Sequence, residues 1–118
     1  MNFVVVDNNK GDLDLLVALI AAAVPNSRVE PFTDPLLSAK YVCNNPVDIV
    51  FLTDTMRPVN GFRLMQVLRK NIPQLAVVML SDDEENRMDA VHAGVNEYLL
   101  KPVSADRLAC VTKQFAAC

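Results

Sequence analysis

Glycine is scarce in this chain of 118 residues, and its three glycines stand far apart, at positions 11, 61 and 94. A dinucleotide-binding or Walker-type phosphate loop needs two or three glycines within a few residues, because its backbone must approach the phosphates closely. The spacing therefore excludes both types of nucleotide-binding loop and predicts no organic cofactor held in that way.

Cysteine and histidine are also rare. The three cysteines, Cys43, Cys110 and Cys118, include no CxxC pair, and His92 is the sole histidine. This pattern supports neither a zinc site nor a disulfide framework, and unpaired thiols are typical of a reducing compartment. We therefore expect a cytoplasmic protein that folds without a structural metal.

Long apolar runs and clustered basic residues are missing as well. The most apolar run, residues 15–24, has about half of the length that a membrane span needs, and no basic leader precedes Phe3. The net charge is -3, whereas phosphate backbones are bound by clustered Lys and Arg. We therefore expect neither membrane insertion nor nucleic-acid binding. The length of the chain suits a single domain, which we predict to span residues 1–118.

Short apolar segments alternate with amphipathic ones. The pattern predicts five strands, at residues 2–6, 27–32, 48–53, 75–80 and 96–100. The helices between and after them are predicted to begin at Asp12, Asp34, Gly61, Asp83 and Ser104, and Gly94 is expected to end the fourth. Three strands are apolar throughout, which indicates helices on both faces of a parallel sheet. We therefore predict an α/β fold with a doubly wound, five-stranded sheet.

Ligands of doubly wound sheets bind beyond the carboxyl ends of the strands. The residues that follow the first, third, fourth and fifth strands are Asp7-Asn8, Thr53-Asp54, Ser81-Asp82-Asp83 and Lys101-Pro102. Carboxylates suit a hard divalent cation such as Mg2+, while a lysine and a hydroxyl can bind phosphoryl oxygens. The strand ends therefore predict a pocket for a cation and a phosphoryl group.

Three segments match one family in the right order. They are FVVVD, which ends at Asp7, VVMLS, which ends at Ser81, and AGVNEYLLKP, residues 93–102. With these motifs the whole chain resembles the receiver domain of two-component response regulators. The resemblance implies a flavodoxin-like (βα)5 fold with strand order 2-1-3-4-5.

Site roles also follow from this resemblance. It implies that Lys101 contacts the phosphoryl group and that the Lys101-Pro102 peptide bond is cis. It also implies that Ser81 and Tyr98 are the switch residues and that Asp7 is the first acid of the pocket. It further implies that a sensor histidine kinase supplies the phosphoryl group. An effector domain or output protein would bind at the fourth helix, fifth strand and fifth helix, and a homodimer is a further option.

Three positions depart from the family pattern. Asn8 replaces the second acid of the pocket, which would weaken Mg2+ binding at Asp7 and Asp54. A gapless register over residues 48–61 places Thr53 at the phosphoacceptor position, whereas a shifted register places Asp54 there. Asp82 follows the switch hydroxyl, where an inward carboxylate would repel a phosphoryl group; an outward Asp82 could begin the next helix.

These departures predict an atypical receiver, a signalling switch and not an enzyme, controlled by aspartate phosphorylation or by protein contacts without it. Two rivals share the fold class. A flavodoxin-like cofactor-binding domain would need a hydroxyl-rich loop after the first strand, where the sequence is DNNKG, and a phosphoaspartyl hydrolase would need an acid at Asn9. Both alternatives are disfavoured by these missing residues, because a fold alone does not define a function.

Overall fold

The computed structural model describes residues 1–116, so Cys118 lies outside the described residues. Strands and helices alternate along the chain. The elements are β1 (Asn2–Val6), α1 (Lys10–Ala23), β2 (Arg28–Phe32), α2 (Pro35–Asn44), β3 (Ile49–Thr53), α3 (Gly61–Asn71), β4 (Ala76–Ser81), a 3-10 turn (Glu84–Asn86), α4 (Arg87–Ala93), β5 (Glu97–Leu100) and α5 (Ala105–Ala116). The predicted strands and helices all form, and the fourth helix divides into the 3-10 turn and α4.

All five strands are parallel, in the order β2-β1-β3-β4-β5. Because successive strand residues point to opposite faces, the sheet has two apolar layers. One layer packs against α2, α3 and α4 and includes Val4, Leu52 and Leu68. The other packs against α1 and α5 and includes Phe51, Ile20 and Leu108. The doubly wound, flavodoxin-like prediction is confirmed, and all residues of β3 are buried, as its apolar run predicted.

Most helix boundaries follow the predicted caps. Asp34 accepts a hydrogen bond from the backbone N–H of Leu36 at 2.9 Å, and Gly94 ends α4 with a φ of 95°. The prediction that Asp12 caps the first helix is wrong, because Asn9 takes that position: its Oδ1 accepts from the N–H of Asp12 at 3.0 Å. Asparagine is as good a cap as aspartate, and the Asp12 carboxylate has a different partner, described below.

β2 and β5 form the two edges of the sheet. On β2, the N–H of Arg28 donates to the carbonyl of Met1 at 2.9 Å, and the carbonyl of Phe32 accepts from Asp7 at 3.0 Å. The N–H and C=O groups of successive strand residues point alternately to the two sides of the strand. The backbone groups of Val29 and Pro31 therefore point away from β1. In residues 1–116, no helix has both the length and the apolar character needed to cross a membrane.

Candidate functional site

The carboxyl ends of four strands bring the predicted site residues together. Asp7 follows β1, Asp54 follows β3, Ser81 ends β4 and Lys101 follows β5, as the strand order requires. Asp7, Asp54 and Ser81 are buried. The peptide bond between Lys101 and Pro102 is cis, as the resemblance implied. The polar contacts divide these side chains into two groups, one around Asp54 and one around Lys101.

The end of β3 separates the roles of Thr53 and Asp54, although both are buried. Thr53 is the last strand residue, and its hydroxyl lies 3.4 Å from the carbonyl oxygen of Val6. Asp54 follows the strand, with its N–H donating to the carbonyl of Leu80 at 2.9 Å. Thr53 pairs with Leu80 of β4, so Asp54 is next in register with Ser81 and its carboxylate lies beside that hydroxyl. Of the two candidate phosphoacceptors, Asp54 is therefore the one that contacts the predicted switch hydroxyl.

Both carboxylate oxygens of Asp54 accept hydrogen bonds. Oδ1 accepts from the N–H of Thr55 at 2.7 Å. Oδ2 accepts from the Ser81 hydroxyl at 2.5 Å and from Nδ2 of Asn86 at 2.9 Å. Asn86 was not among the predicted site residues, because it follows an acidic run typical of a solvated helix start. The Asp54 group thus contains three donors, supplied by the loop after β3, the end of β4 and the turn before α4.

Tyr98 connects to the same group. The ring is buried, with 2% of the residue exposed, and its hydroxyl donates to the carbonyl of Asp83. The N–H of Asp83 in turn donates to the Ser81 hydroxyl oxygen at 2.9 Å. The guanidinium of Arg87 lies over the ring, 4.9 Å from its centroid, which favours a cation–π contact. A continuous series of hydrogen bonds therefore joins Tyr98, Asp83, Ser81 and Asp54.

The surroundings of Tyr98 raise the pKa of its phenol. Burial is the largest cause, since a phenolate is costly away from water. The negative charges of Asp54, Asp83 and Glu84 raise this pKa further, whereas the Ser81 hydroxyl lowers it. The neutral phenol is therefore the form that the folded protein favours.

We expect this shift to appear in an alkaline titration. Because the folded pKa of Tyr98 lies above its unfolded value, its contribution to stability is complete below pH about 10 and is lost as pH rises through the folded pKa. The ultraviolet tyrosinate signal of wild type minus that of Tyr98→Phe should have its midpoint above pH about 10. A midpoint at or below that value would contradict the buried phenol, and Tyr41→Phe serves as the control.

Lys101 forms the centre of the second group. Its Nζ lies 2.6 Å from Oδ2 of Asp7 and 3.1 Å from Oδ2 of Asp12. The side chains of Lys101 and Asp7 are 12% and 6% exposed. Burial alone lowers the pKa of Lys101, but the hydrogen bonds and charges of the two carboxylates outweigh it, so the pKa is raised. Asp12 therefore belongs to the site as an ion-pair partner rather than to the helix as its cap.

Asn8 forms three hydrogen bonds to backbone groups. Its Oδ1 accepts from the N–H of Arg57 at 2.6 Å, and its Nδ2 donates to the carbonyls of Arg57 at 3.0 Å and Thr33 at 2.8 Å. A carboxylate could accept from Arg57 but could not donate to either carbonyl. The amide thus connects the end of β1 to the loop before α3 and to the turn after β2.

The polar groups around Asp7 form a weak donor set for Mg2+. Mg2+ binds carboxylate oxygens in a near-octahedral arrangement. Here the Asn8 amide is taken up by backbone groups, and the Lys101 ammonium already neutralises the Asp7 carboxylate at 2.6 Å. Within residues 1–116, no three His, Cys, Asp or Glu side chains lie close enough to share a metal ion.

Asp82 takes the outward of its two expected orientations. The residue is exposed, whereas the preceding Ser81 is buried. The cap of the following 3-10 turn is supplied by Asp83, whose Oδ1 accepts from the N–H of Glu85 at 2.9 Å. The Asp82 carboxylate is therefore in solvent, and the suggestion that it begins the next helix is wrong by one residue.

Comparisons with known proteins show the family of the chain. A family model described as the response regulator receiver domain matches residues 3–113. The cyclic di-GMP phosphodiesterase response regulator RpfG of Xanthomonas campestris pv. campestris (strain 8004) is 29% identical, over 87% of this chain and 28% of that protein. The transcriptional regulatory protein DcuR of Escherichia coli (strain K12) is 30% identical, over 81% of this chain and 44% of that protein. The chain spans less than half the length of these curated relatives.

Solved structures show the same fold. A putative response regulator from Chloroflexus aurantiacus superposes with a TM-score of 0.90 at 20% identity, covering 99% of this chain and 98% of that one. At this level of identity, the match concerns the path of the backbone. The sheet order and the placement of the strand ends are therefore shared with that protein.

Proposed function

This chain belongs to the response regulator receiver family, and we propose that residues 1–118 form an atypical receiver whose switch is set by protein contacts rather than by ordinary aspartate phosphorylation. Receiver domains of two-component response regulators are signalling domains that interact with histidine kinases and effector domains. They typically bind Mg2+ at an acidic pocket. The proposal concerns how this member departs from that pattern.

The observation that supports the proposal is the continuous series of hydrogen bonds that joins Asp54 to Tyr98. By family resemblance, a phosphoryl group on the acceptor would attract the switch hydroxyl and accompany the inward position of the aromatic residue. Here the Ser81 hydroxyl already contacts Asp54 at 2.5 Å, and Tyr98 is already buried. The contacts that would report phosphorylation are therefore present while the acceptor is a free carboxylate.

The Lys101 group supports the same proposal. A phosphoryl group on Asp54 would add roughly two negative charges and would need Lys101 as a counterion. Lys101 is already paired with Asp7 and Asp12, and Asn8 supplies no charge with which to hold a cation. Moving the ammonium to a phosphoryl group would leave the buried Asp7 carboxylate without its partner, which is costly.

The proposed output surface consists of α4, β5 and α5. Among the residues whose burial is described, three large apolar side chains are exposed on these elements: Met88, at 61%, Val91, at 55%, and Leu100, at 40%. Met88 and Val91 stand three positions apart on α4 and share one face of the helix, and exposed apolar patches commonly mark binding surfaces. We propose that an effector domain, an output protein or a second copy of the chain binds at this surface, and that a sensor histidine kinase is the upstream partner.

We further propose a role in signalling rather than catalysis, located in the cytoplasm. Cys43 and Cys110 are free thiols, which a reducing compartment would preserve. The relative DcuR is named a transcriptional regulatory protein, and this chain corresponds to 44% of its length. A comparable effector outside the described chain would suit the proposed output surface.

Intact-mass analysis after incubation with acetyl phosphate and Mg2+ tests the proposal. We expect no phosphoryl adduct on the wild type, while a conventional receiver treated in parallel becomes labelled. A stoichiometric adduct on the wild type that Asp54→Asn abolishes and the exposed-site control Asp82→Asn retains would overturn it. Thr53→Asp tests the gapless register, because an adduct gained only by this variant would place the family's acceptor position at residue 53.

A further inference from the structure

Asn86 makes a contact that its position in the chain does not require. It is the last residue of the 3-10 turn and immediately precedes α4, where asparagine commonly caps a helix with its side chain. Its side chain makes no cap hydrogen bond. Instead, Nδ2 donates to Oδ2 of Asp54, 32 residues earlier, at 2.9 Å. The amide thus connects the turn before α4 to the centre of the pocket.

α4 has little packing of its own to hold it. The helix has seven residues, of which only Ala90 is buried. A buried alanine contributes little apolar area, and helices this short are not stable alone. The start of α4 is therefore sensitive to polar contacts such as the one from Asn86, since regions with few buried apolar contacts open locally at low cost.

We propose that Asn86 is a positioning residue that fixes the start of α4 to the Asp54 carboxylate and thereby couples that carboxylate to the exposed side chains Met88 and Val91. The Asn86 amide donates to an ionised oxygen, and hydrogen bonds to charged groups are stronger than those between neutral groups. Neutralising or removing that oxygen weakens the bond and loosens the turn. The inference rests on the proposed function only in taking α4 as part of the output surface.

Hydrogen exchange measured by mass spectrometry or NMR tests this role without any phosphoryl donor. We expect Asn86→Ala to raise the exchange rates of α4 amides about tenfold, because the lost bond has a charged acceptor. Amides of α1 should not change. Asn44→Ala is the matched control, since its Nδ2 donates to the carbonyl of Lys40 within the same helix, at 2.7 Å, and it should leave α4 unaffected.

Changing the hydrogen-bond acceptor, Asp54, distinguishes an Asn86 that only stabilises the turn from one that couples the turn to Asp54. In an Asp54→Ala background, Asn86→Ala should have no further effect on α4 exchange. The exchanged pair Asp54→Asn with Asn86→Asp retains one donor and one carboxylate, and we expect it to restore much of the protection that Asn86→Asp alone removes.

Two results would overturn the inference. One is unchanged α4 exchange in Asn86→Ala, and the other is an equal increase when Asp54 is already alanine. A phosphoryl adduct on the wild type would overturn the proposed function and leave these exchange results standing. Failure of the two proposals is therefore distinguishable.

Discussion

Replacing Lys101 by methionine is expected to lower the free energy of unfolding by about 3 kcal/mol, because removing one member of a buried ion pair leaves the other uncompensated. Methionine retains most of the apolar stem of lysine, so the lost ammonium is the main change. Asp7 would lose its 2.6 Å partner while remaining buried. Urea denaturation near neutral pH measures the change.

The chain offers a matched control in the Lys10–Asp14 pair. These two side chains lie 3.1 Å apart with exposures of 76% and 62%, so Lys10→Met should cost less than about 0.5 kcal/mol. Adding Asp7→Asn to Lys101→Met should recover part of the loss, because it removes the unpaired carboxylate. Equal effects of Lys101→Met and Lys10→Met would contradict the buried pair.

The stability that Lys101 contributes should also depend on pH. Its pKa is raised in the folded protein, as the two carboxylates outweigh the effect of burial. The contribution is therefore complete below the ordinary lysine pKa of about 10.4 and is lost as pH rises through the folded pKa. The difference in urea stability between wild type and Lys101→Met should shrink over that alkaline range.

Replacing Gly61 by alanine is expected to lower the free energy of unfolding by about 2 to 3 kcal/mol, the upper part of the usual range of about 1 to 3 kcal/mol for overpacking. A Cβ at this position would lie 2.3 Å from the carbonyl oxygen of Thr53 and 3.0 Å from Cα of Asp54. Both are backbone atoms, so neither can move without shifting the end of β3. Thermal and urea denaturation measure the loss.

Gly11→Ala provides the comparison for Gly61→Ala. A Cβ at residue 11 would meet the flexible carboxamide of Asn9 at 3.3 Å. This contact opposes the gain in helix propensity, so the net change should stay within about 1 kcal/mol. A Gly61→Ala variant as stable as Gly11→Ala would show that the end of β3 can move aside.

Apolar periodicity was sufficient to predict the alternating strands and helices of a parallel sheet, whereas the strand order came from the family resemblance. The runs FVVV, IVFL and AVVML predicted buried strands, and the residues of those runs are almost all buried in a parallel sheet. Strand and helix boundaries depend on local chemistry, which is why Asp34 and Gly94 were identified correctly. The cap of α1 was not identified correctly, because Asn9 and Asp12 stand three positions apart and asparagine and aspartate cap helices equally well.

The candidate site was only partly predictable. The strand-end rule identified Asp7, Ser81 and Lys101, but it could not decide between Thr53 and Asp54, since neighbouring side chains point to opposite faces and the rule does not say which face carries the pocket. Contacts of Asn86 with Asp54 and of Asp12 with Lys101 cross 32 and 89 residues. Such contacts depend on side-chain direction in the folded state, which has no local signature in the sequence.

The outward side of β2 limits how this protein can associate. Val29 and Pro31 are the strand residues whose backbone faces away from the sheet, and proline has no N–H to donate. An added strand would thus find a single donor along Arg28–Phe32, too few for a ladder. Growth of the sheet by strand addition is therefore disfavoured at this edge, where the backbone offers a binding partner mainly carbonyl acceptors.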